Sequence, residues 1–247
     1  IMLKSIIIIP SRLKATRLPD KPLLKINGKS LIVHVLEKAI SSEVGDVYVA
    51  SPDDKILQEV KKNNGQSIKT SDNHKTGTDR IYEAFKKLNM TSVEYVINLQ
   101  GDEPLIDIHD IRNLVIQSIK LNSEISTLAC EIKDKNIYKD KNIVKVSTLE
   151  KLGKNNISNA LEFERKFDEK KKINIYQHFG IYMYRKDILK KFVSLPQSKN
   201  EKTLNLEQLR ALDNNIKIDV ILSPNQPIGV DTEKDYIEIK KLMEYNS

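Results

Sequence analysis

Residues 5–12 read Ser5-Ile6-Ile7-Ile8-Ile9-Pro10-Ser11-Arg12. Four consecutive isoleucines are typical of a strand that is buried on both faces, as in a parallel sheet. Pro10 and the charged residues after it end the apolar run far short of the roughly 20 residues that a membrane span needs, and no small-residue cleavage site of a signal peptide follows. We therefore predict that this segment is a central strand of an α/β fold.

Apolar runs and amphipathic segments alternate through the first half of the chain. Runs bounded by Pro, Gly or Asp predict strands at 5–9, 47–50 and 95–99. Apolar residues at helical spacing predict helices between them, at 30–40, 53–62 and 79–88. This repetition favours right-handed crossovers and a mainly parallel sheet flanked by helices. Ligands of such sheets bind beyond the carboxyl ends of the strands, so the residues after each strand are the candidates for function.

After residue 121 the pattern changes to strands with fewer helices between them. We predict one domain over 1–247 with a smaller lobe at about 125–225. Within the second half we predict a highly charged loop or short helix at 151–172 and a helix at 204–212. The remaining predictions are strands at 126–131, 143–148, 178–184 and 218–222 and a helix from residue 232.

The composition narrows the classes of partner and compartment. The chain carries a net charge of +7 and one cysteine, Cys130, which excludes an internal disulfide and a cysteine-based zinc site and favours the cytoplasm. The charge alone fits nucleic acid, an acidic membrane surface or small anionic substrates. Because few aromatic residues are interleaved with arginine, we predict no nucleic-acid groove, and we predict no membrane association.

A basic loop follows the first predicted strand. Arg12, Arg17 and Lys21 lie among small residues and prolines in the segment 10–23. Guanidinium and ammonium groups arranged in this way suit a polyphosphate, and Pro19 and Pro22 reduce the entropy that ordering the loop would cost. An ordinary basic surface loop fits the composition equally well.

Two further motifs follow predicted strands. In the first, His74-Lys75-Thr76-Gly77-Thr78-Asp79-Arg80, Thr78 or Asp79 is predicted to cap a helix and Gly77 to permit close approach of a ligand. In the second, Gln100-Gly101-Asp102-Glu103-Pro104, a carboxylate at a strand end is well placed to ligate Mg²⁺. Each motif by itself fits a purely structural turn or cap as well.

The order P-x-R-x-x-x-T-R-x-P-x-K-P-L, with the motifs at 74–80 and 100–104, resembles the sugar nucleotidyltransferases, and most of all their 3-deoxy-manno-octulosonate (Kdo) cytidylyltransferase branch. The resemblance implies a Rossmann-like nucleotidyltransferase fold of the glycosyltransferase-A type. It also implies transfer of CMP from CTP to a 3-deoxy-2-ulosonic acid for lipopolysaccharide synthesis, with release of pyrophosphate. For CTP it implies a set of binding residues: Arg12, Thr16, Arg17, Lys21, Thr76, Gly77, Thr78, Arg80 and Asp102.

Three matches in the second half extend the resemblance to nearly the whole chain: 178–182, which reads H-F-G-I-Y, 206–210, which reads L-E-Q-L-R, and 229–232, which reads G-V-D-T. By the resemblance Asp102 and Asp231 hold Mg²⁺, although Asp231 also fits a helix cap. With Arg12 and Lys21, these two carboxylates form the implied catalytic set. The resemblance implies a homodimer and a set of sugar-binding residues: Arg17, Gln100, His178, Tyr182, Glu207 and Gln208.

One departure affects the acceptor. The family carries Ser-Arg-x-x-Ile-Pro after the strand at 143–148, where we match Ser158-Asn159. Losing that arginine leaves three alternatives: Arg165 or Lys166 replaces it, the acceptor is an 8-amino relative of Kdo, or the acceptor is a sialic-acid-like sugar. A related glycosyltransferase is disfavoured because no Asp-x-Asp motif is present, and a basic RNA-binding protein remains an alternative from another class.

Overall fold

A computed structural model describes residues 4–14, 18–154, 156–167 and 174–245. The chain divides into two compact units, one formed by 1–112 and 227–247 and the other by 113–226. The predicted lobe at 125–225 falls within the second unit, and the assignment of the whole chain to one domain stays a prediction. The helix α4, Ile108–Leu121, spans the point of division.

The first unit is built on four parallel strands in the order β5-β4-β1-β6. Its central strand is the isoleucine run, in which all four isoleucines are fully buried, as predicted. The strands are β1 (Ser5–Pro10), β4 (Asp46–Ser51), β5 (Gln66–Lys69) and β6 (Tyr95–Asn98). The helices are α1 (Leu31–Ser41), α2 (Asp54–Lys62), α3 (Gly77–Leu88) and α8 (Glu233–Tyr245).

A short hairpin follows the basic loop in the same unit. Its strands are β2, Lys25–Ile26, and β3, Lys29–Ser30. The turn between them places Asn27 at φ 48° and Gly28 at φ 77°. This Asn-Gly pair is the preferred sequence for a two-residue hairpin turn, because both positions need a positive φ.

Over 113–154, 156–167 and 174–226, the second unit contains five strands in the order β10-β7-β11-β9-β8. Strand β8 pairs with both β9 and β10, so the pairings close into a ring. Only the β7–β11 pairing in this ring is parallel. The elements are β7 (Ile125–Glu131), β8 (Lys145–Thr148), β9 (Ser158–Glu164), β10 (Ile175–Arg185), β11 (Ile218–Leu222), α5 (Lys186–Ser194), α6 (Lys199–Leu204) and α7 (Leu209–Asp213).

Two predictions for the second unit are wrong. The charged stretch 151–172 contains the strand β9, whose residues pair with both β8 and β11. The helix predicted at 204–212 starts too early: α6 ends at Leu204, where the C-cap Asn205 is left-handed at φ 52°, and α7 begins only at Leu209. A left-handed residue at this point terminates a helix.

Candidate active site

A cavity of about 370 Å³ lies in the first unit, beyond the carboxyl ends of β1 and β6. This is where ligands bind in open α/β sheets. Polar and charged side chains dominate its wall, which suits an anion more than an apolar ligand. The wall includes Ser11, Arg12, Lys14, Lys21, His74, Lys75, Thr76, Arg80, Gln100, Asp102 and Asp231.

Within its described residues, 10–14 and 18–23, the basic loop contributes three cations to this cavity: Arg12, Lys14 and Lys21. The backbone N–H of Leu13 donates to Asp53 at 2.8 Å and so fixes the first part of the loop. Lys14 Nζ donates to Asp72 at 2.6 Å, and this hydrogen bond raises the pKa of the exposed Lys14 ammonium. Sequence reasoning assigned no role to Lys14. The predicted ligands Thr16 and Arg17 lie outside the described residues.

Lys21 lies between the two carboxylates that the sequence predicts as metal ligands. Its Nζ donates to Asp102 Oδ2 at 2.6 Å and to the carbonyl oxygen of Val230 at 2.8 Å, and it lies 3.5 Å from Asp231 Oδ1. The N–H of Val230 donates to the carbonyl of Asp102 at 2.8 Å, which joins the two acidic segments directly. The structure therefore brings three of the four predicted catalytic residues into direct contact.

Asp231 does not need to serve as the helix cap. The hydroxyl of Thr232 accepts a hydrogen bond from the N–H of Asp235, and the Asp235 carboxylate accepts from the N–H groups of Asp231 and Thr232. This reciprocal arrangement is a capping box that satisfies the start of α8. Asp231 Oδ1 lies 3.5 Å from Lys21 Nζ at the cavity wall.

The His74–Arg80 motif forms another part of the wall. Thr76, rather than the predicted Thr78 or Asp79, caps α3: its hydroxyl accepts from the N–H of Asp79. With Gly77 it places the N-terminus of the helix on the cavity, where backbone N–H groups and the helix dipole favour an anion. Thr78 instead is buried, and its hydroxyl accepts from Asn98.

Arg80 lines this wall and also donates hydrogen bonds to the segment before the motif. The residue is 3 % exposed and donates to the Thr70 hydroxyl at 2.7 Å and the Ser71 carbonyl at 2.9 Å. Burial, followed by the charge of Arg12, lowers the pKa of the Arg80 guanidinium, which nevertheless stays charged at neutral pH.

Glu83, which sequence reasoning missed, anchors the turn before α3. Its carboxylate accepts from the Ser71 N–H at 2.9 Å and from Lys87 at 2.7 Å, and makes a short contact with His74 Nε2. Partial burial by itself would raise the pKa of Glu83, but the hydrogen bonds from Lys87, His74 and Ser71 outweigh it and lower the pKa to about 2. The only sequence signal for this role is its position on the same helix, six residues after Gly77.

Gln100 lines the cavity with a fixed amide. Its Nε2 donates to Asn98 Oδ1 at 3.1 Å, and Asn98 Nδ2 in turn donates to the Thr78 hydroxyl at 3.3 Å. The Gln100 side chain is thus anchored through its amide nitrogen at the cavity wall.

The second unit holds His178 and Tyr182, two predicted sugar-binding residues, side by side. The register between β10 and β7 shifts between these positions, and their rings lie 5.2 Å apart. A β-bulge of this kind re-aims side chains, and it explains why two residues four apart on one strand are neighbours. Burial lowers the pKa of His178 to about 3 and raises that of Tyr182 well above its usual value, so both rings are neutral at neutral pH.

Thr127 fixes the orientation of the His178 ring. Its hydroxyl donates its single proton to the carbonyl of Ile181 at 2.7 Å, and His178 Nε2 lies 3.1 Å from the same oxygen. A neutral imidazole has one N–H donor and one acceptor nitrogen. Because the Thr127 proton is already used, Nε2 is the donor and Nδ1 is the acceptor.

The predicted residues Glu207 and Gln208 lie between α6 and α7. The helix pair is held by a buried ion pair, in which Arg210 donates to both carboxylate oxygens of Glu201 at 2.6 and 2.9 Å. The charge of Glu207 contributes to the raised pKa of Tyr182, which places these two residues near each other. Three of the residues predicted to bind the sugar, His178, Tyr182 and Glu207, therefore share one region of the second unit.

The structure also places the candidates for the missing arginine. Asn159 donates to Asp219 at 2.6 Å, between β9 and β11. Arg165, just after β9, donates to the carbonyls of Lys141 at 3.2 Å and of Leu204 and Asn205 at 3.4 Å. Arg165 thus reaches the segment directly before Glu207, whereas Asn159 donates to Asp219.

Asp102 and Asp231 suit a divalent cation that is shared with a substrate. Asp102 Oδ2 and Asp231 Oδ1 both lie within 3.5 Å of one cationic atom, Lys21 Nζ, so the two carboxylate oxygens face a common point. Among the described residues no group of three or more His, Cys, Asp or Glu side chains gathers as a metal site. Mg²⁺ commonly takes one or two protein carboxylates and completes its shell with phosphate oxygens and water, which this pair allows.

Residues 6–218 match the family model described as Cytidylyltransferase. A 3-deoxy-manno-octulosonate cytidylyltransferase of Thermodesulfovibrio yellowstonii is 43 % identical over 94 % of both chains, and one of Paramagnetospirillum magneticum is 36 % identical over 98 % of both.

A solved structure gives the same result. CMP:2-keto-3-deoxy-manno-octonic acid synthetase complexed with CTP superposes with a TM-score of 0.88 at 33 % identity, over 99 % of this chain and all of that one. This agreement confirms the α/β nucleotidyltransferase fold. In the part of the chain that the structure covers, no helix combines the length and the apolar character needed to cross a membrane. The chain belongs to the cytidylyltransferase family, in the branch of the 3-deoxy-manno-octulosonate cytidylyltransferases.

Proposed function

We propose that this protein transfers CMP from CTP to Kdo, with Mg²⁺ as cofactor, to give CMP-Kdo for lipopolysaccharide synthesis. The observation that carries the proposal is the cavity of the first unit, in which cations face a pair of carboxylates beyond the carboxyl ends of β1 and β6. The names of the relatives and of the CTP-bound neighbour support the choice of substrates.

In the proposed reaction the anomeric 2-hydroxyl oxygen of the acceptor forms a bond to the α-phosphorus of CTP. The bond from that phosphorus to the bridging oxygen of the β-phosphate breaks, and pyrophosphate leaves with the electron pair. The hydroxyl proton passes to solvent. Such a transfer depends on positioning and on compensation of negative charge.

The residues of the first unit perform both tasks for the nucleotide. Arg12, Lys14 and Lys21 neutralise the triphosphate, and the N-terminus of α3 at Thr76 and Gly77 offers backbone donors. Asp102 and Asp231 would hold the Mg²⁺. The metal would supply charge neutralisation at the phosphate oxygens and favour ionisation of the attacking hydroxyl.

We propose that residues of the second unit recognise the acceptor. His178 Nδ1 and Glu207 accept hydrogen bonds from sugar hydroxyls, because the imidazole is neutral and its Nε2–H is already committed to Thr127. Tyr182 and Gln208 complete the same region. Arg165 supplies the guanidinium for the carboxylate of the acid, in place of Asn159, because it lies beside the segment that carries Glu207.

The test is a pyrophosphate-release assay with CTP, Mg²⁺ and Kdo, together with the variant Asp102→Asn. We expect turnover with Kdo in the wild type and a loss of kcat/KM of more than about a hundredfold in Asp102→Asn, since a ligand of the reacting centre is removed. Asp107→Asn is the matched control: Asp107 accepts the N–H of His109 near the start of α4, a function that asparagine retains.

Near-wild-type activity of Asp102→Asn would refute the assignment of the site. A panel with an 8-amino relative of Kdo and a sialic acid tests the acceptor, because higher kcat/KM on either one would replace Kdo while leaving the transfer of CMP intact. Turnover with ATP or UTP in place of CTP would contradict the choice of nucleotide.

We further propose a cytoplasmic homodimer. The exposed side chains Leu121 and Leu149 line one open groove of the second unit, and burying them against a second copy would remove apolar surface from water. Light scattering on the purified protein measures the oligomeric state.

A further inference from the structure

Lys21 and the metal compete for the same two carboxylates. The ammonium donates to Asp102 at 2.6 Å and lies 3.5 Å from Asp231, while its third contact is the carbonyl of Val230 at 2.8 Å. These three acceptors satisfy the three donors of an ammonium group. A side chain with this set of partners is held where a cation between the carboxylates would lie.

We propose that Lys21 is an exchangeable counter-ion, which neutralises Asp102 and Asp231 until a divalent cation takes its place and then moves to the nucleotide phosphates. The inference rests on the proposed function only for the identity of the cation and of the phosphates. It assigns to Lys21 a second role besides phosphate binding, namely to set the affinity of the carboxylate pair for the metal.

Electrostatics makes the exchange necessary. Mg²⁺ binds carboxylate oxygens at about 2.0–2.1 Å. A cation ligated at that distance by the oxygens that now face Lys21 would share their lone pairs with the ammonium and repel it at close range. The Lys21 side chain is 16 % exposed, so water screens this repulsion only in part.

The Lys21 ammonium still has acceptors within the cavity after it leaves the carboxylates. The cavity that Lys21 lines is the one in which Arg12 and Lys14 face the candidate triphosphate position. An ammonium displaced from the carboxylates therefore remains beside strong anionic acceptors. Because Lys21 occupies the carboxylates only while the metal is absent and the phosphates only while the nucleotide is present, its two positions link metal binding to nucleotide binding.

The test measures binding of Mn²⁺, as a paramagnetic substitute for Mg²⁺, by electron paramagnetic resonance of the free ion, without nucleotide or acceptor. We expect Lys21→Met to bind Mn²⁺ more tightly than the wild type by roughly tenfold to a hundredfold, the factor that corresponds to one charged hydrogen bond. Adding Asp231→Asn to Lys21→Met should abolish this gain, which places the ion at the carboxylate pair.

Lys14→Met is the matched control. It removes the same charge from the wall of the same cavity, but Lys14 pairs with Asp72 rather than with the two carboxylates. We expect it to change Mn²⁺ affinity by less than about threefold, since an exposed charge at greater distance is screened. Lys21→Gln serves as a second variant, and circular dichroism verifies that each variant is folded.

Unchanged or weaker Mn²⁺ binding in Lys21→Met and Lys21→Gln would overturn the inference. An equal gain in Lys14→Met would also overturn it, because general charge would then be the cause. The outcome is separable from that of the proposed reaction. Tighter Mn²⁺ binding with no turnover of CTP and Kdo would refute the reaction alone, and turnover without the gain would refute the exchange alone.

Discussion

Two variants, one at Arg165 and one at Asn159, test which residue binds the acceptor's carboxylate. The variants are Arg165→Met, which keeps the aliphatic length and removes the charge, and Asn159→Arg, which restores the arginine where the sequence pattern suggested it. The Arg165 guanidinium donates to three carbonyls at 3.2–3.4 Å. These bonds are longer than the usual 2.9–3.0 Å of an N–H···O bond, so they orient the group and stabilise the fold only weakly.

The size of the effect follows from these contacts. Loss of Arg165 should lower the free energy of unfolding by about 1 kcal/mol or less, because weak, partly exposed bonds to neutral acceptors are removed. A charged hydrogen bond to the acceptor's carboxylate contributes about 1.5–3 kcal/mol. At 1.4 kcal/mol for each factor of ten, KM for the acceptor should rise by roughly tenfold to 150-fold. KM for CTP should change by less than about twofold.

The variant Asn159→Arg should not improve binding of the acceptor. Asn159 donates to Asp219 at 2.6 Å, and the same carboxylate accepts from Ser123 at 2.6 Å. An arginine at 159 would replace a short, partly buried hydrogen bond and remain next to Asp219. We expect Asn159→Arg to leave KM for the acceptor unchanged and to lower stability by about 1 kcal/mol.

Steady-state pyrophosphate release measures both KM values, and urea unfolding measures stability. Lys166→Met is the control, since it removes the neighbouring exposed cation. An unchanged KM for the acceptor in Arg165→Met, or a lower one in Asn159→Arg, would refute the placement. A rise confined to Lys166→Met would assign the carboxylate to Lys166 instead.

Two further predictions concern stability. Arg210→Met breaks the ion pair with Glu201, whose side chains are 3 % and 4 % exposed. We expect the free energy of unfolding, measured in urea, to fall by about 3–5 kcal/mol, and to fall by less when Glu201→Leu is added. Equal losses in the single and double variants would contradict the argument. Burial holds the pKa of His178 at about 3, below its usual value of 6.5. The free energy of unfolding should therefore fall as pH drops from about 6.5 toward 3, and His178→Gln should remove this part of the profile; an unchanged profile would show that His178 is not its source.

The first unit could be predicted from the sequence because its signals are local. The isoleucine run and the strands near residues 47 and 95 are short apolar segments with turn residues at their ends. The positions after β1 and β6 then identify most of the cavity wall without tertiary information. The predicted cap of α3, Thr78 or Asp79, lies two or three residues after the observed cap Thr76, because these residues are all good caps by composition and only the backbone geometry distinguishes them.

In the second unit the strand β9 was missed, because charged residues interrupt and surround its buried positions. Strand β9 reads Ser-Asn-Ala-Leu-Glu-Phe-Glu, in which Ser158, Ala160 and Phe163 are buried and the intervening residues are partly or fully exposed. Lysines and acidic residues on both sides hide this alternation in a highly charged stretch. The partner strands that make β9 a strand lie elsewhere in the sequence, as the pairing of Asn159 with Asp219 shows.

The position of Lys21 between the carboxylates is a property of the folded chain alone. Lys21 is 81 residues from Asp102 and 210 from Asp231. The last segment is held near the start of the chain by separate bonds, from Tyr236 to the Lys25 carbonyl at 2.6 Å and from Asn27 to the Met243 carbonyl at 3.1 Å. Motifs predicted which groups follow the strands, but no local pattern states that a phosphate-binding cation and two metal ligands share one point. That sharing is what makes Lys21 a competitor of the metal.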